Sequence, residues 1–244
     1  MTKGLYNISH NKKIAKDIYE MRLAGDTSAL SRPGQFINIL LDGFYLRRPI
    51  SVCDYDTNSI TIVYKVVGDG TEYLSTLKEN SKLDMLVGLG NGFDTSKSGN
   101  SPLIIGGGVG VPPLYALAKK LINEGKDVKV IIGFNSKDEV FYENEFSALG
   151  AKTFVTTADG SYGTHGFVTD ALPLVDFYTY FYTCGPEPML KAVYSACDKS
   201  GQFSFEERMG CGFGACMGCS CKTKYGDKRI CKEGPVLLKE EIIW

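Results

Sequence analysis

Histidine is nearly absent from this chain, with only His10 and His165 among 244 residues. The first lies in a polar N-terminal segment and the second in a glycine-rich turn, so neither marks a general base. An excess of charge of either sign is also lacking. Lys+Arg 27 against Asp+Glu 28 leaves a formal net charge of −1, which gives no electrostatic footprint for a nucleic acid or an anionic membrane surface. No uninterrupted apolar run approaches ~18 residues, so a transmembrane helix is not expected. The opening MTKGLYNISHNKK has no apolar stretch of the signal-peptide kind, and a cytoplasmic location is expected. Internal repeats and low-complexity tracts are missing as well. With 43% hydrophobic and 23% charged residues, disorder is excluded as the main state.

What is plentiful is glycine and clustered cysteine. Glycine is 28 of 244 residues, about 11% against a usual ~7%, which points to tight turns or close approach of backbone to a ligand. Of the eight cysteines, Cys53, Cys184 and Cys197 are scattered, while Cys211, Cys216, Cys219, Cys221 and Cys231 fall close together. A cytosolic chain keeps its thiols reduced, so the clustering favours a metal centre over disulfides.

The length suits more than one compact module. Residues 1–98 read as strands: INILLDG, FYLRRPISVCDY, SITIVYKVV and LDMLVGLGNGF are bounded by Gly, Pro, Asp and Asn, which predicts a small antiparallel β-barrel. GTEYLSTLKEN is expected as a short helix at one barrel end. The polar stretch DTSKSGNSP reads as a linker. Residues 99–205 then alternate strand and helix patterns, which implies a doubly wound parallel sheet with helices on both faces. Helices are expected at LYALAKKLINEG, EVFYENEFSALG, FVTDALPLV and EPMLKAVYSACDKSG. Residues 206–244 form a small Gly/Cys-rich segment with short strand candidates. The fold class is thus multidomain β and α/β.

Three motifs carry chemistry. The spacing Cys211-x4-Cys216-x2-Cys219-x11-Cys231 is the plant-type pattern for a 2Fe–2S cluster. Gly210, Gly212, Gly214 and Gly218 permit the loop to wrap and leave N–H groups free to point at sulfur. A tetrahedral zinc site is the alternative, although zinc ribbons usually show C-x2-C pairs. Cys221 fits no ligand position in this spacing. Gly107, Gly108 and Gly110 follow an apolar strand and open a helix at Pro112, a setting for a dinucleotide phosphate. Cys184, Gly185 and Pro186 form a second strand-to-helix junction on the same sheet edge. A tight turn without a ligand is the other reading. Arg48, Pro49, Ile50 and Ser51 place a guanidinium near a hydroxyl, suited to phosphate or a flavin edge. Val63, Tyr64 and Lys65 lie on the adjoining strand, and Gly70 and Thr71 open a helix.

In this order, RPIS, GDGT, GGGVGVPPL and YTCGPEPML resemble the ferredoxin–NADP reductase superfamily. The tail ERMGCGFGACMGCSCKT…ICKEGPV resembles the electron-transfer subunits of NAD-dependent (type B) dihydroorotate dehydrogenases, as does ADGSYGTHGFVTDAL. The resemblance implies FAD on Arg48–Ser51, Val63–Lys65, Gly70 and Thr71, with NAD as co-substrate. It implies a 2Fe–2S cluster on Cys211, Cys216, Cys219 and Cys231. It further implies an FMN-containing catalytic subunit as partner, in a two-plus-two heterotetramer serving pyrimidine biosynthesis. A flavin and iron–sulfur NAD(P)H reductase serving another acceptor, of sulfite reductase, hydrogenase or ferredoxin type, is the alternative. Met209, Phe213 and Met217 in the cluster loop are expected near the docking surface.

Overall fold

A computed structural model describes residues 1–244. Six antiparallel strands, β1 (Thr2–Ala15), β2 (Ile18–Ala24), β3 (Phe36–Leu40), β4 (Arg48–Tyr55), β5 (Ser59–Lys65) and β6 (Lys82–Leu89), close into a barrel in the order β1-β2-β5-β4-β3-β6. Period-two alternation builds its core: Ile37 and Ile39 face inward with Met21, Leu23, Ile60 and Ile62. Helix α1 (Asp69–Thr76) buries Leu74 into that core. The hairpin β1–β2 is longer than its polar sequence suggests, because Tyr6, Ile8, Met21 and Leu23 supply buried positions between exposed ones.

The second layer is a mixed sheet. Strands β7 (Pro102–Gly107), β8 (Lys129–Phe134), β9 (Lys152–Thr157), β10 (Thr164–His165), β11 (Tyr180–Cys184) and β12 (Gly201–Ser204) are parallel, in the order β10-β9-β8-β7-β11-β12. Near-continuous apolar runs such as Leu103–Ile105 and Val130–Ile132 are fully buried, as strands covered on both faces require. Helices α2 (Tyr115–Asn123), α3 (Glu143–Ala148) and α4 (Glu187–Ala196) flank the sheet. The helix expected at FVTDALPLV is instead a 3-10 stretch, Val168–Leu174. Pro173 lacks the N–H an α-helix needs there.

The C-terminal segment forms a hairpin, β13 (Ser220–Thr223) with β14 (Gly226–Arg229). It then returns β15 (Val236–Leu238) antiparallel to β12, at the edge of the larger sheet. The three parts share cores. Val63 of the barrel packs with Val111 and Leu114, and Phe36 and Leu89 pack with Cys219, Ile230 and Cys231. Ion pairs Lys119–Asp54 (2.8 Å) and Lys65–Glu139 (3.8 Å) also join barrel to sheet. No helix is long and apolar enough to cross a membrane.

Candidate functional site

The barrel wall opens beside the Arg48–Ser51 segment. Strand β4 pairs with β5 only at Val52, Asp54 and Tyr55, while Arg48 to Ser51 pair with β3 alone. Val63, Tyr64 and Lys65 in turn pair with β2 alone. The two segments therefore present unpaired backbone edges to a slot, and such edges require partners. Arg48, Pro49, Ile50 and Ser51 are all half-buried, whereas Val52 and Cys53 beyond the slot are buried. The Arg48 guanidinium lies over the Phe44 ring, 4.8 Å from its centroid. It also packs against α1, where a Cβ on Gly70 would stand 2.3 Å from Nε. Gly70 is therefore what lets Arg48 reach the helix start.

Two of the expected contacts are engaged within the chain. The Tyr64 hydroxyl donates to Asn11 Oδ1 at 2.9 Å inside the barrel, and burial pushes its pKa up. The Lys65 side chain is paired with Glu139 at 3.8 Å, so the backbone of Val63–Lys65 is what is left for a ligand. The Thr71 hydroxyl accepts from the N–H groups of Val67 (2.9 Å) and Gly68 (3.2 Å) and donates to the Gly68 carbonyl. It caps its own helix rather than standing free.

The two glycine turns meet at the carboxyl edge of the sheet. Cys184 is in register with Gly106, and a Cβ on Gly110 would lie 2.4 Å from the Cys184 carbonyl oxygen and 2.5 Å from Gly185 Cα. Gly108 has φ +52 and open space around it. Beside these turns is a cleft of about 410 Å³ whose lining includes Gly107, Gly108, Phe134, Thr156, Phe167 and Pro186. Open α/β folds bind ligands at this edge. The Thr156 hydroxyl is buried with no partner in the chain, a donor and acceptor awaiting one. Glu139, held by Asn135 Nδ2 at 2.8 Å, is the one charged side chain lining the cleft. Burial, with the nearby Glu206 carboxylate, keeps Cys184 a neutral thiol.

The four spaced cysteines fall into two neighbouring pairs. Cys211 contacts Cys216, and Cys219 contacts Cys231. The Ala215 N–H donates to Cys211 Sγ at 3.2 Å and the Cys231 N–H to Cys219 Sγ at 3.4 Å. Burial alone would raise the Cys211 thiol, but backbone N–H groups of Phe213, Cys216 and Ala215 bring it down to about 6. Cys231 is pushed up to about 12 by burial and then by Cys219 and Cys211 beside it. No group of three or more His, Cys, Asp or Glu converges to hold a single metal ion. Gly212 (φ +75) and Gly214 (φ +92) adopt the left-handed backbone that glycine favours. Cys221 lines a separate groove of about 380 Å³ with Phe205, Leu237 and Trp244. Of the loop's apolar residues, Met209 packs into the core. Phe213 and Met217 stay exposed at 46% and 55%, and Met217 holds φ +58, a strained value for a side chain other than glycine.

Sequence reasoning missed Asn38, Thr156 and Glu139. Asn38 sits on β3 between two inward isoleucines, a pattern that reads as an ordinary outward polar residue.

Comparison with known proteins agrees with this geometry. Residues 206–243 match the iron-sulfur cluster binding domain of dihydroorotate dehydrogenase B, and residues 104–195 match the oxidoreductase NAD-binding domain. The dihydroorotate dehydrogenase B (NAD(+)) electron transfer subunit of Fusobacterium nucleatum is 44% identical over 250 residues, covering 96% of each chain. That of Bacillus pumilus is also 44% identical, covering 99% of this chain and 98% of the other. The chain belongs to the dihydroorotate dehydrogenase B electron-transfer subunit family. Among solved structures, the NADH-dependent reduced ferredoxin-NADP oxidoreductase superposes with a TM-score of 0.89 at 30% identity, covering 99% of this chain and 90% of that one. That superposition includes residues 206–243, so the cluster-binding segment is shared with this relative along with the barrel and the sheet.

Proposed function

We propose that this chain carries electrons from a catalytic subunit that oxidises dihydroorotate to NAD+, as a component of an orotate-forming oxidoreductase in pyrimidine biosynthesis. The observation that carries the reading is the adjacency of three sites: the barrel slot lies between the paired glycine turns and the cysteine loop. Arg48 to Ser51, the backbone of Val63–Lys65, and Gly70 would hold FAD, with Arg48 offering its fork to a phosphate. Thr71 would act through the helix start it caps. Gly107, Gly108, Gly110, Cys184, Gly185 and Pro186 would bind NAD. Cys211, Cys216, Cys219 and Cys231 would hold a 2Fe–2S cluster, in keeping with the iron–sulfur description of the matched family. When bound, FAD exchanges a hydride with NAD and single electrons with the cluster. The chain itself orients these groups and sets the field around them.

The partner in this reading is an FMN-containing catalytic subunit in a two-plus-two heterotetramer in the cytoplasm. Met217 supports docking at the cluster loop. A strained and exposed apolar side chain stands between Cys216 and Gly218, and interfaces favour Met and aromatic residues. The segments 1–98, 99–205 and 206–244 would then be the flavin, nucleotide and cluster domains.

Cysteine replacement tests the ligand set. Cys216→Ser and Cys231→Ser should each remove the visible and EPR signals of the cluster, while Cys221→Ser leaves them nearly intact. Loss of the signals in Cys221→Ser with retention in Cys231→Ser would overturn the assignment.

A further inference from the structure

Strand β3 places Asn38 on the outer wall of the barrel, between the flavin slot and the cluster loop. Its neighbours in register are Pro49 on β4 and Leu86 on β6. Ile37 and Ile39 turn inward, so Phe36, Asn38 and Leu40 share the outer face. Phe36 packs among Cys219, Ile230 and Cys231, whereas Leu40 is exposed. Asn38 stands between them and is 1% exposed.

The cysteine loop covers it directly. Asn38 Nδ2 donates to the Cys211 carbonyl at 3.1 Å, and a Cβ on Gly212 would lie 2.4 Å from that nitrogen. Any side chain at 212 would push the loop off the barrel. The other end of the amide, Oδ1, is buried with no partner and points away from Gly212, 3.8 Å from its Cβ position. The strand beneath is held in turn. Arg47 Nη1 donates to the Asn38 carbonyl and to that of Asp84, both at 3.2 Å, and Nη2 reaches Asp84 Oδ1 at 2.6 Å. A buried amide with one half unsatisfied costs stability, so its retention here calls for a role other than packing.

We infer that Asn38 is a positioning residue for electron transfer between cluster and flavin. It fixes the Cys211 end of the loop against the strand that carries Pro49, and its amide dipole adds to the field at the Cys211 sulfur. The inference rests on the reading of Cys211 as a ligand and of Arg48–Ser51 as the flavin segment. Hydrogen bonding and charge near the ligands help set a cluster's potential, and electron transfer slows as donor and acceptor move apart.

The test uses the full chain with its flavin and cluster, as wild type, Asn38→Leu and Asn38→Asp. NADH supplies two electrons and a proton to the flavin as hydride, and one electron then passes to each oxidised cluster. Stopped-flow absorbance follows both bleaching phases in one trace, and an EPR redox titration gives the cluster's midpoint potential. Asn38→Leu should slow the cluster phase several-fold relative to the flavin phase. Asn38→Asp keeps the shape but sets a carboxylate against the Cys211 carbonyl, and should lower the midpoint potential. If Asn38→Leu fails to take up a cluster, the potential of Asn38→Asp decides. Wild-type potential and phase ratio in the loaded variants would overturn the inference, as would loss of the cluster from both, which would mark a purely structural residue. Wild-type protein without iron and sulfide would remove the cysteine reading and this inference with it.

Discussion

Replacing Gly110 with alanine tests the contact that holds the two nucleotide turns together. The new Cβ would stand 2.4 Å from the Cys184 carbonyl oxygen, where ordinary contact begins at 3.4 Å, so about 1 Å must be found. The three nearest atoms are all backbone of Cys184 or Gly185, and backbone cannot swing aside as a side chain end can. Forced overpacking of this kind costs about 1–3 kcal/mol of stability, and misplacing a reacting group by about 1 Å costs up to ~10²-fold in rate. Gly110→Ala should therefore fold with its flavin and cluster, yet lose on the order of 10²-fold in kcat/KM for NADH with a dye acceptor. Gly108→Ala is the internal control. Its Cβ meets nothing within 4 Å and its φ is +52, so the cost is about 1–2 kcal/mol of backbone strain and a smaller kinetic loss. Steady-state kinetics on flavin-normalised protein reads both. Gly110→Ala within about twofold of wild type would refute the account of the paired turns.

Gly70→Ala should displace the Arg48 guanidinium, which would meet the new methyl at 2.3 Å. The expected result is weaker FAD retention on gel filtration, read from the absorbance of the protein peak, with the barrel still folded by circular dichroism. A pH prediction follows from Glu20. Burial would raise its pKa, but the Tyr142 hydroxyl at 2.9 Å, Lys12 and His10 together hold it below the usual carboxylate value. A depressed folded pKa adds stability that is complete above about pH 4.3 and is lost as pH falls through the folded value. Denaturant midpoints should drop over that acid range, and Tyr142→Phe should cost about 1 kcal/mol at neutral pH while flattening part of the slope.

Much of this architecture was legible because the residues that reveal it act locally. The cysteine spacing could be read directly, since thiolate ligands must be cysteines and their separations are set by the loop that wraps the metals. The glycine turns could be read because strand, turn and helix follow one another in the chain. Asn38 could not, because its partner Cys211 is 173 positions away and nothing in INIL distinguishes a clamp from a solvated amide. Thr71 was visible as a helix-opening hydroxyl, yet its three bonds to Val67 and Gly68 close a ring that composition does not reveal. Strand β15 joins the sheet only because β12 leaves an open edge for Val236–Leu238 to cover.

The most direct test of the central claim is orotate and NADH formation by this chain mixed with a dihydroorotate dehydrogenase catalytic subunit. The purified chain alone should pass electrons from NADH to a dye but form no orotate from dihydroorotate. The mixture should co-elute on gel filtration and reduce NAD+ as dihydroorotate is consumed, in equal amounts. Orotate formation by the isolated chain, or a co-eluting complex that oxidises dihydroorotate without reducing NAD+, would contradict the account.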